Sequence, residues 1–123
     1  MADVQTSLKE AMQIQGAIGA ALVDYDSGMT LGTSGGGTSL DLEVAAAGNT
    51  DVVRAKMRTM EQLGIDDEIE DILITLGTAY HLIRLVRSQR GTGLFFYLAL
   101  QKGQANLGMA RRQLQTVEQQ LDL

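Results

Sequence analysis

The side chains that could do chemistry in this chain are few and scattered. His81 is the only histidine, and cysteine is absent. Disulfides, thiolate metal sites and thiol nucleophiles are therefore excluded. One imidazole with no HExxH spacing gives no zinc site, so His81 reads as a residue on a strand surface. The glycine-rich stretch at 32–39 (GTSGGGTS) invites comparison with a phosphate-binding loop. A Walker loop closes with Gly-Lys-Ser/Thr, and no lysine follows here; the stretch reads as a solvated connection. Its serines and threonines sit in no nucleophile-elbow pattern. Asp66, Asp67, Glu68, Glu70 and Asp71 are dense carboxylates without the alternation and glycine of a calcium loop. They read as a solvated face or as a docking patch for a basic partner. Arg84, Arg87 and Arg90 form the main basic group. They serve solubility, or they contact an acidic or phosphorylated partner through bidentate hydrogen bonds. No catalytic, cofactor-binding or metal-ligating residue is assigned, no cofactor is expected, and the expectation is a binding module that is not an enzyme.

Composition narrows the partners further. The chain has 123 residues and a formal net charge of −5. The length fits one domain spanning 1–123, and an acidic surface repels phosphate backbones, so nucleic acid is not an expected partner. The longest apolar run, 94–100, is far short of the roughly 20 residues that cross a bilayer. No signal-like segment opens the sequence, and a cytoplasmic location is expected.

The elements that must carry these residues follow from periodicity. Val4, Leu8, Ala11 and Met12 make one apolar stripe of a short helix over about 3–13. A strand at 17–24, turn chemistry at Tyr25-Asp26-Ser27-Gly28, and a second strand at 29–32 predict a hairpin. A long helix is predicted over 40–63, with Ser39 as N-cap and Gly64 as its stop. It carries two stripes. Leu42, Ala46, Val53, Met57 and Met60 form one; Ala45, Gly48, Val52 and Ala55 form a neighbouring one of small residues. Two apolar faces imply two packing partners. Gly48 marks either a close helix–helix approach or a break after which Asn49-Thr50 caps a new helix. Strands at 69–76, 80–87 and 92–100 form a meander, turning at 77–79 and 88–91. The third is apolar on both faces, as a covered central strand is. In the second, Leu82, Arg84 and Val86 alternate with His81, Ile83 and Leu85, which predicts one partly open face. Asn106 opens a last helix over 107–121. Its stripe Leu107, Ala110, Leu114, Val117 and Leu121 suits packing on the sheet better than a short coiled coil.

The run GAIGAALVDYDSG at 16–28, the run NLGMAR at 106–111 and the order α-β-β-α-β-β-β-α together resemble the roadblock/dynein light chain family, in its bacterial form. The resemblance covers nearly the whole chain. The glycine-rich insertion before the long helix and Asn49-Thr50 within it depart from the family pattern. The fold implied is α+β, a profilin-like sandwich. Its five-stranded antiparallel sheet carries the long helix on one face and the terminal helices on the other. The resemblance also implies a homodimer joined through the strand at 69–76 and the helix at 40–63. Ala45, Gly48, Val52, Ala55, Ile72 and Ile74 would form the interface, with Arg84, Arg87 and Arg90 as partner contacts. An open Ile72-Leu73-Ile74 edge would independently invite such pairing. Family members are adaptors and regulators of small Ras-like GTPases or light chains of motor complexes. The implied function is regulation of a small GTPase, with a nucleotide-independent scaffold or light-chain-type subunit as the alternative. The family fixes no arginine finger at a motif, so none is named.

Overall fold

The computed structural model describes residues 2–87 and 93–123. Its elements run α1 (Val4–Met12), β1 (Ala17–Asp24), β2 (Met29–Gly35), α2 (Leu42–Gln62), β3 (Asp71–Thr75), β4 (Ala79–Leu85), β5 (Leu94–Gln101) and α3 (Leu107–Gln120). The five strands form one sheet in the order β2-β1-β5-β4-β3, and each neighbouring pair is antiparallel. The predicted fold class and element order hold.

β5 lies at the centre because its sequence has no polar face to offer water. Residues 94–100 are all buried. Phe96, Leu98 and Leu100 pack with Leu8, Leu114 and Val117 beneath α1 and α3. Phe95, Tyr97 and Ala99 pack with Leu42, Ala46 and Val53 beneath α2. Each fully buried phenylalanine contributes roughly 1.5–3 kcal/mol of apolar transfer energy, so this one strand stitches both layers together. The long helix therefore covers one face and the terminal helices the other, as expected.

Local chemistry fixes the boundaries. Asp24 Oδ1 accepts a hydrogen bond from the Asp26 N–H at 2.8 Å, and Gly28, at φ +79°, lets its N–H reach the Asp24 carbonyl at 2.7 Å. That closes the β1–β2 hairpin with the turn residues predicted. β2 continues to Gly35, so the first part of the stretch at 32–39 is strand and not connection. Its pairing to β1, Ala21 with Thr33 and Ala20 with Ser34, supplies the order that its small polar residues do not. The N-cap of α2 is Asp41 and not Ser39: Asp41 Oδ1 accepts from the N–H groups of Glu43 (3.0 Å) and Val44 (3.2 Å). α2 is unbroken at Gly48. The side chains of Asn49 and Thr50 donate to the carbonyls of Ala45 (2.8 Å) and Ala46 (2.7 Å), one turn back, and so stay within the helix.

Two expectations for the meander change. β3 is shorter than predicted, because 65–70 approach the sheet as coil. The face of β4 expected to be partly open is closed. Leu82, Arg84 and Val86 are all buried, and the first and last pack into the layer under α1 and α3. The predicted turn at 88–91 lies outside the described residues. The stripe of α3 packs on the sheet, with Ala110, Leu114, Val117 and Leu121 buried.

Candidate interaction surface

Among the described residues the sheet has two outer strands, and β3 is one of them: it pairs with β4 on one side only. Its register runs Asp71–Arg84, Ile72–Ile83, Leu73–Leu82, Ile74–His81 and Thr75–Tyr80 without a shift. Alternation puts Ile72 and Ile74 on the α2 face, and both are half-buried. Leu73 points to the opposite face and is 36% exposed.

On α2 the buried stripe is the one predicted to face the sheet: Leu42, Ala46 and Val53 are buried, with Met57 packed beside them. The small-residue stripe flanks it. Ala45 and Ala55 are half-buried, and Gly48 and Val52 are exposed. A Cβ placed on Gly48 would meet nothing within 4 Å, so no close approach within this chain uses that glycine. Val52 and Lys56 of α2 and Ile69, Ile72 and Asp71 line one open groove of about 620 Å³. The structure thus brings Val52 of the helix and Ile72 of the strand to the same depression, and Ala45 and Ile72 against the same core cluster.

His81 sits one strand inward from Ile74. Its ring meets Tyr97 edge-on, with centroids 5.4 Å apart. Its Nδ1 lies 3.2 Å from the Tyr97 hydroxyl. Burial pushes the Tyr97 phenol up to about 12 and draws the imidazole below its usual value. In the neutral tautomer protonated at Nε2, the Tyr97 hydroxyl donates to Nδ1. His81 is therefore half-buried and paired, more enclosed than a simple strand surface residue.

The arginines separate into different roles. Arg84 is only 6% exposed. Its Nε donates to Glu118 Oε1 at 3.1 Å, and Glu70 lies 4.0 Å from its Nη1. This guanidinium is engaged inside the fold and not offered outward. Arg87 is exposed and donates to Glu68 at 2.6 Å. Arg90 lies outside the described residues. Arg111, which opens α3 against the helix dipole, is explained by Asp71: its Nε and Nη2 donate to the two carboxylate oxygens at 2.9 and 3.0 Å. Glu118, the buried partner of Arg84, was not singled out from the sequence. A signal was present, because it lies one turn beyond Leu114 and so on the flank of the apolar stripe. Among the described residues no group of three or more His, Asp or Glu side chains converges to hold a metal ion, and no helix is long and apolar enough to cross a membrane.

No protein-family model matches the sequence, and no functionally curated protein matches it. Solved structures do match. The Roadblock/LC7 domain from Streptomyces avermitilis superposes with a TM-score of 0.80 over 96% of this chain and 93% of its own, at 11% identity. MglB from Myxococcus xanthus gives 0.74 over 93% and 77%, at 17% identity. MglC from Myxococcus xanthus gives 0.59 over 94% and 92%, at 21% identity. The fold of this chain is the roadblock/LC7 fold.

Proposed function

We propose that this chain is a roadblock-like domain spanning 1–123 that acts in the cytoplasm as a homodimeric, non-enzymatic adaptor or regulator of a small Ras-like GTPase. The observation that carries the reading is the regular, unpaired β3 edge beside the Val52–Ile72 groove, on a fold shared with MglB and MglC. An apolar edge strand next to an unfilled helix flank is a surface for a second chain. One solved MglB structure is described as having a tetrameric arrangement, which supports self-association of this fold. Ala45, Gly48, Val52, Ala55, Ile72 and Ile74 form the proposed dimer interface. The GTPase reading is an analogy from fold to function. Arg87 and Arg90 remain the proposed contacts to the GTPase.

One observation favours the nucleotide-independent scaffold instead. Arg84, Arg87 and Arg111 are all held in ion pairs within the chain, so a nucleotide contact by any of the three must first displace an intrachain carboxylate.

The experiment immobilises the protein and captures partners from its own cell extract with either a non-hydrolysable GTP analogue or GDP, identified by mass spectrometry. A small GTPase retained in one nucleotide state supports regulation. Partners indifferent to nucleotide support the scaffold. Light scattering at micromolar concentration tests the dimer separately, and a stable monomer removes it.

A further inference from the structure

Where α2 leaves the sheet, the chain surrounds a second cavity of about 440 Å³, within the roughly 300–1,000 Å³ of clefts that hold ligands. Its apolar lining includes Tyr25, Met57, Met60, Ile65, Ile69 and Leu85. Ile65 is 46% exposed and the two methionines are half-buried, so the described residues do not fill the space. Methionine is flexible and polarizable, and a paired-Met lining adapts to varied apolar anchors.

Among the described residues the rim is mostly acidic. Glu61, Asp67 and Glu68 line it. Asp24 and Asp26 stand close enough to act on the Tyr25 hydroxyl, which burial first and then these two carboxylates push above its usual value. Arg87 is the one cation among the described lining residues, and Glu68 already holds it at 2.6 Å. Glu61, Asp67, Asp24 and Asp26 form no ion pair among the described residues. An apolar floor under carboxylates that have no ion pair among the described residues selects against phosphate-bearing ligands and for a cationic partner with an apolar anchor.

We infer that this cavity is a docking site for a basic amphipathic segment of a partner protein. Its apolar side chains enter between Met57, Met60 and Ile65, and its Lys or Arg side chains meet Glu61 and Asp67. Helix-in-groove recognition has this form. The site is distinct from the Val52–Ile72 groove, although Ile69 and Glu68 border both, and it does not rest on the GTPase reading.

Methionine methyl labelling tests it. Met57 and Met60 report the cavity, while Met29 (68% exposed) and Met109 (57% exposed) report unspecific attraction elsewhere. A short amphipathic peptide of Leu and Lys is titrated into the full chain beside its Glu-for-Lys counterpart. The expected result is saturable shifts at Met57 and Met60 with the basic peptide alone. Affinity should fall by at least about tenfold in the Glu61→Lys/Asp67→Lys variant and decline steeply with salt. Equal shifts at Met29 and Met109, no shifts, or full binding by the charge-reversed variant would overturn the site. Shifts of Met57 and Met60 on diluting the protein without peptide would also overturn it, by giving the cavity to a second copy. Methionine spectra of the free variant matching the parent at Met12 and Met109 show that the variant is folded. Nucleotide-dependent capture of a GTPase by that same variant would leave the proposed function standing whatever the peptide does.

Discussion

The two outer strands of the sheet are built differently. β3 presents Ile72, Leu73 and Ile74 in an unshifted register, with an unfilled groove on its α2 side. β2 reads Met29-Thr30-Leu31-Gly32-Thr33-Ser34-Gly35, and its register with β1 slips between Leu22 and Val23. At Gly35, φ is +73°, and an added Cβ would come within 2.6 Å of Met12 Cε and 2.7 Å of the Ile18 carbonyl. Only glycine fits there. A slipped register, small polar residues and a left-handed terminus are the devices that keep a sheet edge from recruiting another strand. β2 has all three and β3 has none, so β2 is protected against strand addition and β3 is the edge that the proposed dimer would use.

The largest test removes what holds the β3 side in place. Arg84, whose register partner on β3 is Asp71, is tied to α3 through Glu118, and the two side chains are only 7% and 5% exposed. Arg84→Ala strands the Glu118 carboxylate in the layer beneath. Breaking such a pair costs about 3–5 kcal/mol, read as a lower urea midpoint at unchanged slope. A double variant with apolar residues of similar size at both positions should recover most of that loss; if it does not, the pair is not what anchors this side. Next in size is Ile74→Arg, which puts a charge on the open edge. If the proposed dimer pairs through β3, its association should weaken about a hundredfold, roughly 2.8 kcal/mol, by sedimentation equilibrium. An unchanged dimer mass would remove the β3 pairing.

The contrast between the edges was half legible in the sequence. β5 announced itself as a central strand because Leu94 to Leu100 has no polar face, and the sheet-facing stripe of α2 followed from helical spacing alone. Local rules erred where distant contacts decide. The stretch Gly32-Thr33-Ser34 has loop composition, and only its pairing with Ala20 and Ala21 makes it strand. Ser39 and Asp41 are equally good caps by type, and the geometry of the chain entering α2 selects the second. Arg84 looked solvent-facing within its own strand, because the residue that buries it, Glu118, lies 34 positions on. The partner that explains Arg111 is 40 positions back. The Met57–Met60 cavity needs Tyr25, Ile65 and Leu85 together, which no single window contains.

A gentler probe of the β3 side is pH. Burial draws the His81 pKa below its ordinary 6.5, so the unfolded chain binds more protons than the folded one between the two values. Stability should then be unaffected well above 6.5, fall as pH drops through that value, and level off below the folded pKa. His81→Gln should flatten this segment of a urea-midpoint profile taken across pH ~5–8. An identical slope in parent and variant would show that the imidazole is not the group responsible. Because His81 lies opposite Ile74, a second copy seated on β3 would steepen the dependence at high protein concentration.

The smallest expected effect falls on β2, and it is the control that gives the others meaning. Met29 and Leu31 are 68% and 43% exposed on the outer strand. By hydrophobicity alone this edge invites a partner as much as β3 does. If the slipped register and the glycines already prevent strand addition, then Met29→Lys and Leu31→Lys remove no interaction. Stability should stay within about 0.5 kcal/mol, as for surface positions outside special features, and the oligomeric mass should match the parent. A drop in mass on Leu31→Lys would mean that apolar exposure, not backbone regularity, selects the pairing edge, and the distinction between the two edges would fall with it.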